Sequence, residues 1–71
     1  MAFCYDKLRG KIVEKFKTIE RFAEAMGRSS ATISAKLNNK SEWTQDEVIL
    51  AVRILELSYD DIPAYFFACE V

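Results

Sequence analysis

The side chains available for chemistry in this 71-residue chain are amines, guanidiniums, carboxylates, hydroxyls and two thiols, with no imidazole among them. The absence of histidine removes imidazole general bases, His-containing triads and His-ligated metal sites. Cys4 and Cys69 stand near opposite ends without a C-x-x-C pair, so two free thiols are expected, and no metal or cofactor site is signalled. No spacing pairs carboxylates for acid–base work or activates a nucleophile, so an enzyme is not expected. What remains is ionic and hydrogen-bonding chemistry. Lys17, Arg28, Ser29, Thr32, Lys36, Asn38, Asn39 and Lys40 crowd into one stretch, and such residues can hold a phosphate backbone.

The whole-chain charge of −1 hides an asymmetry that favours this reading. Residues 1–40 carry nine bases against four acids, whereas residues 41–71 carry Arg53 against seven acids. The domain is therefore a dipole, +5 on one half and −6 on the other. A polyanion would approach the first half, and the second would face away or meet a different partner.

These residues need elements to hold them in place. With one proline, two glycines and 51% apolar residues, the chain is globular, and its apolar residues recur at helical spacing, so an all-α fold is predicted. Leu8, Ile12 and Phe16 form one stripe of a first helix from about Tyr5. Thr18 can cap a second helix, with Ile19, Phe22, Ala23 and Met26 inward and Gly27 ending it in a left-handed conformation. Ser29 or Ser30 can cap a third, with Ile33 and Leu37 inward and Asn38-Asn39 supplying the turn. Thr44 and Glu47 fit a capping box opening a fourth helix from Gln45 to about Leu57, apolar enough around its circumference to be the most buried. Trp43 could staple its start. Ser58 and Asp61 repeat the capping pattern before a short last helix containing Pro63. One compact five-helix domain over residues 1–71 is expected. No apolar run approaches the roughly 20 residues of a membrane span, and a cytoplasmic location is expected.

Within this frame Ala23, Gly27 and Ile33 occupy positions 5, 9 and 15 counted from Ile19. A helix–turn–helix needs a small residue, a turn glycine and a branched apolar residue at those places. The run F-A-E-A-M-G-R-S-S-A-T-I-S-A-K-L-N-N, Phe22 to Asn39, resembles the repressor and Cro class of phage and bacterial helix–turn–helix regulators, whose domain is lambda-repressor-like. Its Thr32–Asn38 element is particularly similar.

The resemblance implies a small transcriptional regulator that represses by occupying double-stranded operator DNA as a homodimer. Its recognition helix, about residues 30–37, would present Ser30, Ala31, Ser34 and Ala35 to base edges. Lys17, Arg28, Ser29, Thr32, Lys36, Asn38, Asn39 and Lys40 would meet phosphates. The C-terminal Tyr65, Phe66, Phe67 and Val71 would form the dimer interface, because a short helix buries only one face and leaves at least one aromatic exposed.

Two departures from that class motivate an alternative. Long bidentate readers are missing from the recognition helix, where Ala35 stands in place of a polar residue, and Ile19 replaces the polar residue that commonly opens the motif. The alternative is an anti-repressor-like module that binds a second phage regulator through the helix–turn–helix surface or the acidic half.

Overall fold

The computed structural model describes residues 3–68 and contains, among them, five α-helices and one 3₁₀ turn. The helices are α1 (Asp6–Phe16), α2 (Ile19–Met26), α3 (Ser30–Leu37), α4 (Gln45–Ile54) and α5 (Ile62–Phe66), with the 3₁₀ turn at Tyr59–Asp61. The all-α expectation holds. α2 packs on α1, α3 and α4, and α5 closes the far side against α1 and α4.

The helix starts follow the capping residues. Thr18 Oγ1 accepts the Arg21 N–H at 3.2 Å, and Ser29 Oγ accepts the Thr32 N–H at 3.2 Å. Thr44 and Glu47 exchange both bonds of a capping box. The Ser58–Asp61 box caps the 3₁₀ turn instead of an α-helix, and α5 follows with Pro63 in its first turn.

Three helices end in the same reciprocal pattern, in which a left-handed residue lets its own N–H and that of the following residue return to the last turn. Gly27 (φ 71°) serves α2, Asn39 (φ 62°) serves α3 and Glu56 (φ 58°) serves α4. At α4 the Leu57 N–H reaches Val52 O at 2.9 Å and the Glu56 N–H reaches Arg53 O at 3.2 Å. This turn stops α4 at Ile54, three residues before the expected Leu57, although glutamate carries no signal for a left-handed conformation.

A left-handed conformation disfavours any side chain with a Cβ by roughly 1–2 kcal/mol, and glycine escapes that cost. Glu56→Gly is therefore expected to stabilise the domain by about 1 kcal/mol, a rise of several degrees in Tm by calorimetry. The exposed Lys15–Glu56 pair at 3.4 Å, lost in that variant, contributes little.

The core is continuous across all five helices. Leu8, Ile12, Phe22, Ile33, Leu55 and Phe66 are fully buried, and Ala23, Met26, Leu37, Val48, Ala51 and Val52 fill the spaces between them. α4 is less enclosed than its composition suggests: Val48, Ala51 and Val52 are buried, whereas Ile49, Leu50 and Ile54 remain partly exposed. The apolar band on α4 is wider than the core it faces, and Ile49 is left to line a surface feature described below. No helix among the described residues is long and apolar enough to cross a membrane.

Candidate functional site

Two surfaces could carry function. The first is the α2–turn–α3 unit. Gly27, Arg28 and Ser29 connect the helices, and buried Ala23, Ile33 and Leu37 hold them together. On the outward side Ala31 is exposed, while Ser30, Ser34 and Ala35 are half-exposed.

Most of the residues expected around phosphate have other bonds. Arg28 Nε donates to Glu47 Oε2 at 3.2 Å, and Ser29 Oγ lies 2.8 Å from Thr32 Oγ1 while capping α3. Asn38 Oδ1 accepts from Arg9 Nη2 at 2.8 Å, and the same nitrogen donates to Leu37 O at the end of α3. Asn39 clamps the N-terminal segment: Oδ1 accepts the Phe3 N–H at 3.0 Å and Nδ2 donates to Phe3 O at 2.9 Å. Lys36 does not join the exposed cations. It is 7% exposed, and its Nζ sits 2.9 Å from Glu47 Oε1 while donating to Glu42 O at 2.8 Å. Of the expected cations, Lys17 and Lys40 are exposed and unpaired among the described residues.

Glu47 is the hub of this arrangement, and its spacing in the sequence signals only the capping box. Burial alone would raise its carboxyl. The Thr44 N–H, the Lys36 ammonium, the Thr44 side chain and the Arg28 guanidinium more than reverse that, holding it at about 2 against an ordinary 4.5. Glu47 thus joins the α2–α3 turn, the last turn of α3 and the start of α4.

The second surface is aromatic and is assembled from both ends of the chain. The segment Phe3–Tyr5, the loop after α3, the start of α4 and the end of α5 meet around Trp43. Its ring stands edge-to-face on Phe66 at 5.3 Å and on Tyr5 at 6.5 Å, and Phe3 meets Phe67 edge-on at 5.8 Å. Two hollows of about 480 and 490 Å³ adjoin here and share Trp43, Val48 and Phe67, so they form one groove. The groove leaves large apolar side chains in solvent, with Phe67 54% and Tyr59 63% exposed. The buried Trp43 Nε1 has no hydrogen-bond partner among the described residues. Burial, and secondarily the nearby Glu42 carboxylate, raise the Tyr5 hydroxyl above its usual range.

The three consecutive C-terminal aromatics separate sharply. Phe66 lies in the core at 1% exposure, so it is not available to an interface as the sequence reading supposed. Tyr65 is half-buried and Phe67 points outward. Val71 and Cys69 lie outside the described residues.

A family model described as a protein of unknown function (DUF739) matches residues 1–69. The chain belongs to this family. Among solved structures, it is similar to the solution structure of the modulator of repression (MOR) of the temperate bacteriophage TP901-1 from Lactococcus lactis, with 51% identity and a TM-score of 0.84. The likeness covers 100% of this chain and 96% of that one, so this DUF739 member shares both its helical fold and its extent with the phage modulator. No curated protein matches the chain.

Proposed function

We propose that this protein is a modulator of repression, a small non-enzymatic phage regulator that acts by binding a repressor instead of occupying an operator by itself. The carrying observation is the full-length likeness to a phage modulator at 51% identity. The geometry supports the same reading. Arg28, Lys36, Asn38 and Asn39, which a DNA-binding helix pair would turn toward phosphates, hold the fold together. The aromatic groove, by contrast, presents Phe67 and Tyr59 to solvent, and exposed aromatics beside a pocket are the usual anchors of protein partners.

Titration calorimetry with the repressor from the same phage genome tests this. A saturable complex is expected with the repressor, and none with operator DNA alone at the same concentrations. Sequence-selective DNA binding by the isolated protein, with no heat from the repressor, would overturn the proposal.

The two surfaces can be told apart by one substitution. Ala31 sits exposed in the first turn of α3 and lines neither hollow, so Ala31→Glu is expected to leave repressor affinity within about twofold, as for a surface change outside an interface. The same change would place a carboxylate against phosphates and abolish DNA binding if α3 entered a groove of DNA. Calorimetry of the variant against both ligands reads both outcomes.

A further inference from the structure

We propose that Asn39 is a positioning residue for repressor binding: by fastening Phe3 it holds the Phe67 ring in the orientation that meets the partner. This rests on the repressor-binding reading above and adds the residue that sets the shape of the groove.

The turns after α2 and α3 have the same backbone task. Gly27 (φ 71°) performs it in one and Asn39 (φ 62°) in the other. The Asn39 N–H returns to Lys36 O at 3.3 Å and the Lys40 N–H to Ala35 O at 2.8 Å, so these closing bonds do not involve the Asn39 side chain. Glycine adopts the left-handed conformation at lower cost, so ending the helix gives no reason for an amide here. What the side chain adds is a pair of bonds to Phe3: Oδ1 accepts its N–H at 3.0 Å and Nδ2 donates to its C=O at 2.9 Å. One planar amide that engages both polar groups of a residue fixes the direction of that residue as well as its distance.

Phe3 passes the constraint on. Its ring meets Phe67 edge-on at 5.8 Å and lies tilted against Tyr5 at 6.3 Å, and Tyr5 stands on Trp43 at 6.5 Å. Asn39, Phe3, Tyr5 and Phe67 all line the hollow of about 480 Å³. Phe67 follows a five-residue helix and is 54% exposed, so contacts from outside that helix decide where its ring rests, and the Phe3 edge is one of them. An anchor ordered before the partner arrives removes part of the entropy cost of association.

Asn39→Gly keeps the left-handed turn and deletes the clamp. Its Tm is expected to stay within a few degrees of the parent, because the two lost bonds are exposed and the closure of α3 remains. By nitrogen relaxation the order parameter of the Phe3 amide should fall from about 0.85 to below about 0.6, with the Thr32 amide unchanged. Affinity for the repressor, by calorimetry, should fall about tenfold, the cost of ordering one residue's backbone anew on binding. In a Phe67→Ser background the same change should cost less than about twofold more, because it acts through that ring.

Unchanged affinity in Asn39→Gly, or losses from Asn39→Gly and Phe67→Ser that multiply in full, would overturn the proposal. So would a Phe3 amide as rigid in the variant as in the parent. An affinity loss accompanied by a large fall in Tm would make Asn39 a residue of the fold alone and overturn it as well. If the parent binds the repressor and the variant matches it, the repressor-binding reading stands and the role of the clamp falls. If the parent does not bind, both fall.

Discussion

Glu47→Ala is expected to destabilise the domain by about 3–5 kcal/mol, the cost of leaving a buried ionic partner uncompensated. A chain of this length has a total stability of roughly 4–10 kcal/mol, so the variant should lose a large share of it. The reason lies with Lys36. Its side chain is 9% exposed and its ammonium is held by Glu47 and the Glu42 carbonyl, so removing the carboxylate strands a charge in the interior and also breaks the α4 capping box. Lys36→Met should cost much less, because Glu47 keeps its bonds from Arg28 and Thr44 and the replacement side chain fills the same space. Urea unfolding of the two variants measures the contrast.

The same carboxylate makes stability depend on pH. Its value in the folded state, about 2, lies below the ordinary 4.5, so its contribution is fully present above about pH 4.5 and is lost as pH falls toward 2. The gap corresponds to about 3 kcal/mol at most. Acid titration followed by circular dichroism should show destabilisation through that window in the parent protein. Any variant lacking the Glu47 carboxyl but still folded should show a flatter dependence.

The second large effect concerns binding. Phe67→Ser is expected to weaken the repressor complex by about 2 kcal/mol or more, roughly thirtyfold, as for an aromatic anchor at the centre of an interface. Thermal stability should change little, because Phe67 is 54% exposed and its ring meets Phe3 edge-on. The adjacent Phe66→Ala should behave in the opposite sense: it removes a ring that is 1% exposed and costs about 3–5 kcal/mol of stability. A Phe67→Ser variant that binds as tightly as the parent would remove the groove from the account.

How far the sequence discloses this molecule depends on whether a feature is local. Thr18, Ser29 and Thr44 announce helix starts because capping needs only a hydroxyl a few residues from a free N–H, and Gly27 announces an end because it alone lacks a Cβ. Glu56 hides its turn, since nothing in a glutamate indicates a left-handed conformation, and α4 therefore reads as longer than it is. A five-residue α5 buries one face, which is why an exposed aromatic at its end is foreseeable and Phe67 is the one found.

The candidate site was less legible. Lys36 looks like any surface lysine beside a basic helix, and its pairing with Glu47 across the α3–α4 junction exists only in three dimensions. Asn38 and Asn39 read as turn residues, yet they also fasten α1 and the N-terminal segment. The groove is assembled from four separate stretches of chain, so Trp43 reads as a staple for one helix and not as the wall of a depression. The similarity to repressors of the helix–turn–helix class was carried mainly by packing residues, Ala23, Gly27, Ile33 and Leu37, which specify how two helices meet and not what they touch.

The most direct test is to map the repressor's footprint on the isotope-labelled protein by amide chemical-shift perturbation. The account predicts that shifts concentrate at Phe3–Tyr5, Glu42–Trp43, Ile49, Tyr59 and Phe67, with Ser30, Ala31 and Ser34 unmoved. Shifts centred on the outward face of α3, with the groove silent, would contradict it.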